Sequence, residues 1–262
     1  MRSPFSTTSE ILNSINRIEQ FVGSFENAGH FAPSPEFRAT HRIQTLQGNL
    51  ALEGNTLSSS QISTLLDGEP TSAPKGDIKE FENANQVYEQ LLILQGHKVP
   101  DLLYAHTLMM SGILPDKGKW RTGNLGITEN RKMPYMAPHA TRVPTLMSDL
   151  FSFLQTSTHP LIKGCVFHYE LKHIQPFSSG NSKIGRVWHS LLLYEFHPIF
   201  EHIAFEYYIH KHQKEYYEVI EECNHFADST KFIELLIKII EEALSDFIKH
   251  AKIDPRPLRV VV

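Results

Sequence analysis

Pro176 cuts residues 160–193 into two apolar stretches, and this punctuation limits the fold more than any other feature of the chain. Leu161, Ile162, Cys165, Val166 and Tyr169 recur at helical spacing. A proline then opposes further helix, so a buried helix is predicted to stop near Gln175. Ser178-Ser179-Gly180-Asn181-Ser182 is made of residues that favour turns. Directly behind it Ile184, Val187, Trp188, Leu191 and Leu192 start a second helix, so the unit reads helix, loop, helix.

A loop feeding a helix N-terminus leaves backbone N–H groups unpaired at the positive end of the helix dipole. Lys183 and Arg186 add side-chain charge there. The pattern outlines a phosphate cradle, and equally the plain N-cap that most Ser/Asn/Gly loops form.

With 262 residues, 41% hydrophobic and 21% charged, the chain can bury a substantial core as one elaborated domain. A net charge of −4 and the lack of any basic stripe argue against direct nucleic-acid binding. Cys165 and Cys223 sit in helical apolar patterns and read as buried thiols, which suits a reducing compartment. None of the fifteen histidines has the i, i+4 spacing with a carboxylate that a zinc helix needs, so no zinc site is assigned. No apolar run approaches membrane-spanning length and no secretory signal is visible. The cytoplasm is the expected compartment.

Ile11, Leu12, Ile15, Ile18, Val22 and Phe25 mark an amphipathic helix over 9–27. A second helix, about 36–52, closes on Glu53-Gly54-Asn55, where Gly54 is a natural stop. Ser59-Ser60-Gln61 caps a short helix, Asp77 opens a long one ending at Gly96, and another spans Pro100 to Met110. Helices from Tyr207 to Asn224 and over about 229–249 complete the chain, before a Pro-containing tail. Residues 117–143 are the non-helical region. Two short segments there, Gly118–Ile127 and Lys132–Pro138, joined by Thr128-Glu129-Asn130-Arg131, suggest a β-hairpin with Pro on an edge that could pair with an extended peptide.

Gln175-Pro176-Phe177-Ser178-Ser179-Gly180-Asn181-Ser182-Lys183-Ile184-Gly185-Arg186 resembles the signature loop of the Fic (Fido) family, H-P-F-x-D/E-G-N-G-R-x-x-R. In that family the His is the general base for a target hydroxyl, the acid holds Mg²⁺ on the nucleotide, and the G-N-G backbone and arginines cradle phosphates. Pro176, Phe177, Gly180, Asn181 and Arg186 match. Gln175 stands at the base position, Ser179 at the metal position, Ser182 at the second Gly and Lys183 at the first Arg. Glutamine does not titrate near neutrality and cannot be the general base, a role worth about 10²–10⁴-fold. A serine is a poor Mg²⁺ ligand beside a carboxylate. Ser182 lacks the backbone freedom of Gly, and Lys183 keeps charge without the planar fork. His173 is no substitute base, because two residues on a helix turn it about 200° away.

Asn49-Leu50-Ala51-Leu52-Glu53-Gly54 resembles the family's inhibitory motif, S/T-x-x-x-E-G/N, with Asn49 in place of Ser/Thr. The resemblance implies that Glu53 pairs with Arg186 and obstructs the nucleotide's γ-phosphate. It further implies that residues 117–143, with Tyr135 and Met136, form the flap on which a target protein's segment docks, and that Tyr217 and Asn224 lie beside adenine. The family's donor is ATP with Mg²⁺, the latter doubtful for this loop.

The resulting expectation is an all-α Fic-domain helical bundle with a short β-hairpin flap. Residues 1–35 form an N-terminal helical extension and 36–250 the Fic domain, containing the inhibitory helix (about 36–55), flap (about 117–143) and signature loop (173–186). Residues 251–262 are a tail. Two functions follow: a nucleotide-binding module without turnover, favoured by Gln175 and Ser179, or a protein adenylyltransferase with a variant motif. A trap substitution at Gln175 in an otherwise active protein would leave Ser179, Ser182 and Lys183 to be explained separately. The target, the transferred group and homodimer formation stay open.

Overall fold

The computed structural model describes residues 4–27, 33–125 and 136–250. Among them are eleven α-helices and no strand: α1 (Ser9–Asn27), α2 (Pro35–Ala51), α3 (Ser59–Leu66), α4 (Lys75–Gln90), α5 (Val99–Met109), α6 (Val143–Phe153), α7 (Pro160–Ile174), α8 (Asn181–Phe196), α9 (Phe205–Lys211), α10 (Gln213–Phe226) and α11 (Thr230–His250). Helix α7 is the axis. Twelve of its fifteen residues are buried, so it has no solvent face and must be enclosed by other helices. Leu161, Ile162, Cys165, Val166 and Tyr169 join one core with α1, α9, α10 and α11. Phe167, Leu171 and Ile174 join a second core with α2 to α6 and α8. The loop between α7 and α8 therefore sits where both cores meet, on a rigid support.

Helix α1 packs its Ile11, Ile15, Ile18, Val22 and Phe25 stripe into the core that α11 lines, and Arg17 donates to both oxygens of Glu241 on α11. Helix α2 runs against α9 at very short range. A Cβ at Gly48 would lie 2.4 Å from the Tyr207 nitrogen and 2.6 Å from the Glu206 carbonyl oxygen, so only glycine permits this approach. Both cysteines are buried and free. No helix among the described residues is long and apolar enough to cross a membrane.

Several boundaries differ from the sequence reading. The cap of α3 is Ser58, in a reciprocal capping box with Gln61. Helix α4 starts at Lys75 and ends at Gln90 rather than Gly96. The chain leaves the helix there so that Gly96 can give its N–H to Glu195 and its carbonyl to the Trp188 indole, both on α8. The expected helix through Tyr207 to Asn224 is two helices, broken at His212, whose Nε2 lies 2.7 Å from Glu242 of α11. Helix α6 was not singled out from the sequence.

The β-hairpin is a further correction: the described parts of 117–143 hold turns, coil and a short 3₁₀ turn, Ala140–Arg142. Their polar groups are satisfied elsewhere. The Arg121 N–H donates to Pro176 O at 2.9 Å, and the Ala140 N–H to Asn124 Oδ1 at 2.9 Å. The Arg121 guanidinium spans the two arms, donating to Gly123 O and Pro138 O. Side chains, not a strand ladder, join them. Residues 126–135, Tyr135 included, lie outside the described residues.

Candidate functional site

The α7–α8 loop begins with an unfavourable conformation. Gln175 has φ 46° and ψ 65°, left-handed for a non-glycine residue that also precedes a proline. Arg121 holds it there. Its Nε donates to Gln175 O at 2.7 Å and its Nη2 to Ile174 O at 3.3 Å, while the side chain is 3% exposed. Phe177 is buried beneath the loop, stacked on His106 with centroids 3.6 Å apart. His106 Nδ1 accepts from the Gly118 N–H at 2.9 Å, so its Nε2 carries the proton and donates to Ser179 O at 3.0 Å. Burial holds this ring below its ordinary pKa, which suits the neutral tautomer. Gly180 turns the chain into α8 with φ 78°, and a Cβ there would lie 2.6 Å from Met110 Sδ. Asn181 closes the loop through two bonds to the Phe177 backbone, 2.9 and 2.8 Å.

Helix α8 therefore starts inside the loop, at Asn181. The first-turn N–H groups of Asn181, Ser182 and Lys183 meet no acceptor among the described residues. Open donors at the positive end of a sixteen-residue helix form an anion cradle. Lys172 of α7 reaches it from below, donating to Ser182 Oγ at 2.9 Å, with its ammonium 5.8 and 5.5 Å from the Tyr216 and Tyr217 ring centroids.

Each of the two loop cations that the resemblance singled out is held by a carboxylate. Arg186 is fully buried and faces the C-terminal end of α2. Its Nε donates to Asn49 Oδ1 at 2.9 Å, its Nη2 to Asn49 O at 2.9 Å and its Nη1 to Glu53 Oε1 at 3.1 Å. The Glu53 bond uses one nitrogen only, because Asn49 takes the other edge. Burial acts to lower the Arg186 pKa, and the Glu53 charge beside it leaves the group above its ordinary value. Lys183, 8% exposed, donates to Glu80 Oε1 at 2.5 Å. The other Glu80 oxygen accepts from Asn55 Nδ2 at 3.1 Å, just past Gly54 with its φ of 86°. Tyr217 OH donates to Leu52 O at 2.8 Å, fixing the same end of α2 from α10.

The remaining predicted residues are placed as follows. Ser179 is exposed, and its neighbour Ser178 donates to Asp116 at 2.9 and 2.8 Å. Asn224 accepts from Tyr169 OH at 2.9 Å and lies 3.4 Å from His173 Nδ1, both on α7. Met136 is 70% exposed. A hydroxyl at 179 and a carboxylate at 116 already engaged by Ser178 are a thin donor set for Mg²⁺, and the described residues contain no group of three His, Cys, Asp or Glu that could hold a metal. Sequence reasoning missed Arg121, Glu80 and Asp116, which lie far along the chain from the loop they hold. Asn49, noted only as a motif departure, is the principal partner of Arg186.

Comparison with solved structures places this arrangement. A Fic family protein from Desulfovibrio desulfuricans G20 is 33% identical, superposes with a TM-score of 0.88, and the match covers 95% of this chain and 77% of that one. The chain belongs to the Fic family. The Fic/DOC family model matches residues 97–193, which contain α7, the loop and all but the last three residues of α8. A Fic-domain signaling protein from Bacteroides thetaiotaomicron, 17% identical with a TM-score of 0.73 over 90% of this chain and 98% of that one, shares the fold. Among curated proteins, the protein adenylyltransferase Fic of Culex quinquefasciatus is 24% identical over 216 residues, 77% of this chain and 41% of that protein. The chain spans half or less of the length of the curated relatives it matches.

Proposed function

We propose that this Fic domain binds ATP with its phosphates over the α8 N-terminus, and that α2 restrains it. The observation that carries the reading is the buried Arg186 guanidinium at the end of an open anion cradle, held by Asn49 and Glu53. Gly180, Asn181, Ser182 and Lys183 line the phosphate side, and Glu53 is the inhibitory residue. Tyr217 and Asn224 face the adenine end, and the 117–143 segment, with Tyr135 and Met136, receives a segment of a protein target.

Transfer of AMP to a protein hydroxyl needs that hydroxyl's proton removed as oxygen attacks the α-phosphorus and pyrophosphate leaves. Gln175 accepts a hydrogen bond but takes no proton, so it orients a hydroxyl without activating it. The donors around Ser179 do not fit a held Mg²⁺, and no step is assigned to one. Retention of nucleotide binding with transfer weak or lost is the consequence. The relatives' activity favours AMP as the transferred group where transfer persists. Incubation with ATP labelled on the α-phosphate and Mg²⁺ tests this. The parent chain is expected to stay unlabelled while the Gln175→His/Ser179→Asp/Glu53→Gly variant labels itself; strong labelling of the parent would overturn the reading.

A further inference from the structure

Arg42, Thr45 and Asn49 of α2, with Glu53 in the turn that follows it, are spaced three, four and four residues apart. The last two hold Arg186. The first two line a separate cavity of about 310 Å³ between α2, α4, α8 and the start of α9, large enough for a metabolite-sized ligand. Three buried side-chain nitrogen or oxygen atoms among the described residues lack a hydrogen-bond partner, and two of them, His41 Nδ1 and Glu206 Oε2, belong to residues lining this cavity. Buried polar atoms are nearly always paired, so two orphans around one cavity point to an occupant.

The cavity's chemistry has two ends. Glu206 is fully buried; its Oε1 accepts from Tyr88 OH and Ser190 Oγ, each at 2.6 Å, and its Oε2 is open. Arg42 commits only Nη2, to Asn85 O and Oδ1 at 3.0 and 2.7 Å, and the nearest carboxylate oxygen, on Glu89, is 4.0 Å away. Its Nε and Nη1 have no hydrogen-bond partner among the described residues. Tyr88 stands between, with its ring 5.8 Å from the Arg42 guanidinium and its hydroxyl on Glu206. We propose that this cavity binds a small amino-acid-like zwitterion, its carboxylate on the open edge of Arg42 and its ammonium on Oε2 of Glu206. A ligand of one charge leaves the opposite end unpaired and loses affinity.

Occupancy reaches the signature loop. Tyr88 OH also accepts from Asn49 Nδ2 at 2.9 Å, and Asn49 Oδ1 accepts from Arg186, so Arg186, Asn49, Tyr88 and Glu206 form one hydrogen-bonded chain. A bound zwitterion fastens α2 in the seat that holds Arg186 and so opposes ATP, and ATP opposes the zwitterion by the same factor. This coupling rests on the proposed phosphate site; the cavity's ligand does not.

Calorimetry of the full chain with β-alanine, 4-aminobutyrate and 6-aminohexanoate, which separate the two charges by increasing lengths, tests the site, with butyrate and butylamine as one-ended controls. At least one zwitterion is expected to bind with Kd of about 1 mM or tighter. Both controls, and the Arg42→Met and Glu206→Gln variants, should weaken binding by about tenfold or more. Should Glu206→Gln not fold, Arg42→Met carries the test, since its side chain is 27% exposed at the rim. Absence of binding by all three zwitterions, or unchanged affinity in Arg42→Met, overturns the site. Unchanged ATP affinity under a saturating zwitterion overturns the coupling alone, and failure of ATP to bind overturns the phosphate-site reading while leaving the zwitterion result standing.

Discussion

Nη1 of Arg186 lies 3.1 Å from Oε1 of Glu53 across 133 residues of sequence, and the guanidinium is completely buried while the carboxylate side chain is 30% exposed. The asymmetry matters energetically. Arg186 cannot rehydrate, so any group that displaces Glu53 must be an anion that pairs with it, and removing the guanidinium leaves Asn49 unsatisfied. On the proposed reading the pair competes with phosphate, and its half in solvent adds little stability.

Arg121 should be the most stability-sensitive polar residue of the loop. It donates to the carbonyls of Ile174, Gln175, Gly123 and Pro138, and so braces the left-handed Gln175 from both sides. Arg121→Ala is expected to cost about 3 kcal/mol or more in chemical denaturation, through several unsatisfied carbonyls. Arg121→Lys should recover only part of that, because a point charge lacks the fork. A loss below about 0.5 kcal/mol for the alanine variant would contradict this assignment.

Glu80 should act as a second restraint on the cradle. It holds Lys183 and Asn55 at once, so Glu80→Gln frees the lysine charge for phosphate and loosens the chain just past Glu53. ATP should bind several-fold more tightly to Glu80→Gln than to the parent, and the gain should vanish in Glu80→Gln/Lys183→Met. Calorimetry decides it; equal affinity in parent and Glu80→Gln would leave Glu80 a structural partner only.

Much of this was legible in the sequence, and the division is physical. Local signals sufficed for α7, α8 and α11: dense apolar spacing, a proline stop and turn residues between. Gly54 ended α2 as glycine should, and Glu53 reached Arg186 because the motif that suggested it specifies one contact. Glu80, Arg121 and Asp116 carry no such local mark, since a lone charged residue on a helix or in a loop is normally solvated. The hairpin failed for a related reason. Short segments rich in Gly and Pro look alike whether their N–H groups meet another strand or, as at Arg121 and Ala140, a loop carbonyl and an asparagine. His212 breaks α9 from α10 without Gly or Pro, through a tertiary bond to Glu242 that no window of sequence contains.

Gly48 should tolerate no side chain. With the Tyr207 nitrogen 2.4 Å and Glu206 oxygen 2.6 Å from a virtual Cβ, both backbone atoms, Gly48→Ala must push α2 away from α9. The expected cost is about 1–3 kcal/mol, and ATP affinity should rise as the seat of Asn49 and Glu53 shifts. Gly23→Ala inside α1, with nothing within 4 Å, is the unobstructed control and should be as stable as the parent or up to about 1 kcal/mol more so. Unaltered melting of Gly48→Ala would contradict the close packing.

Mild acid should destabilise the fold through its buried histidines. Burial depresses His189 to about 3 and His41 to about 4, and lowers His168 and His106 as well. These rings are neutral in the folded chain and take protons in the unfolded chain below its ordinary histidine pKa of about 6.5. Their contribution is thus complete above pH 6.5 and is lost as pH falls toward 4, where the unfolded state binds more protons. His189 alone accounts for about 2 kcal/mol between pH 6.5 and 5. Melting temperature should fall over that window, less steeply in His189→Leu; a melting temperature that rises on acidification would refute the sign.

We propose that the C-terminal end of α2 occupies a phosphate site. ATP affinity of the parent and of Glu53→Gly, measured by calorimetry with Arg186→Ala as the lower reference, tests it most directly. One charge-assisted hydrogen bond is worth about 1.5–3 kcal/mol, so the account predicts ATP binding about tenfold or more tighter in Glu53→Gly and weakened in Arg186→Ala. Equal affinity in the parent and Glu53→Gly would contradict it and reduce Glu53 to a half-exposed partner of a structural arginine.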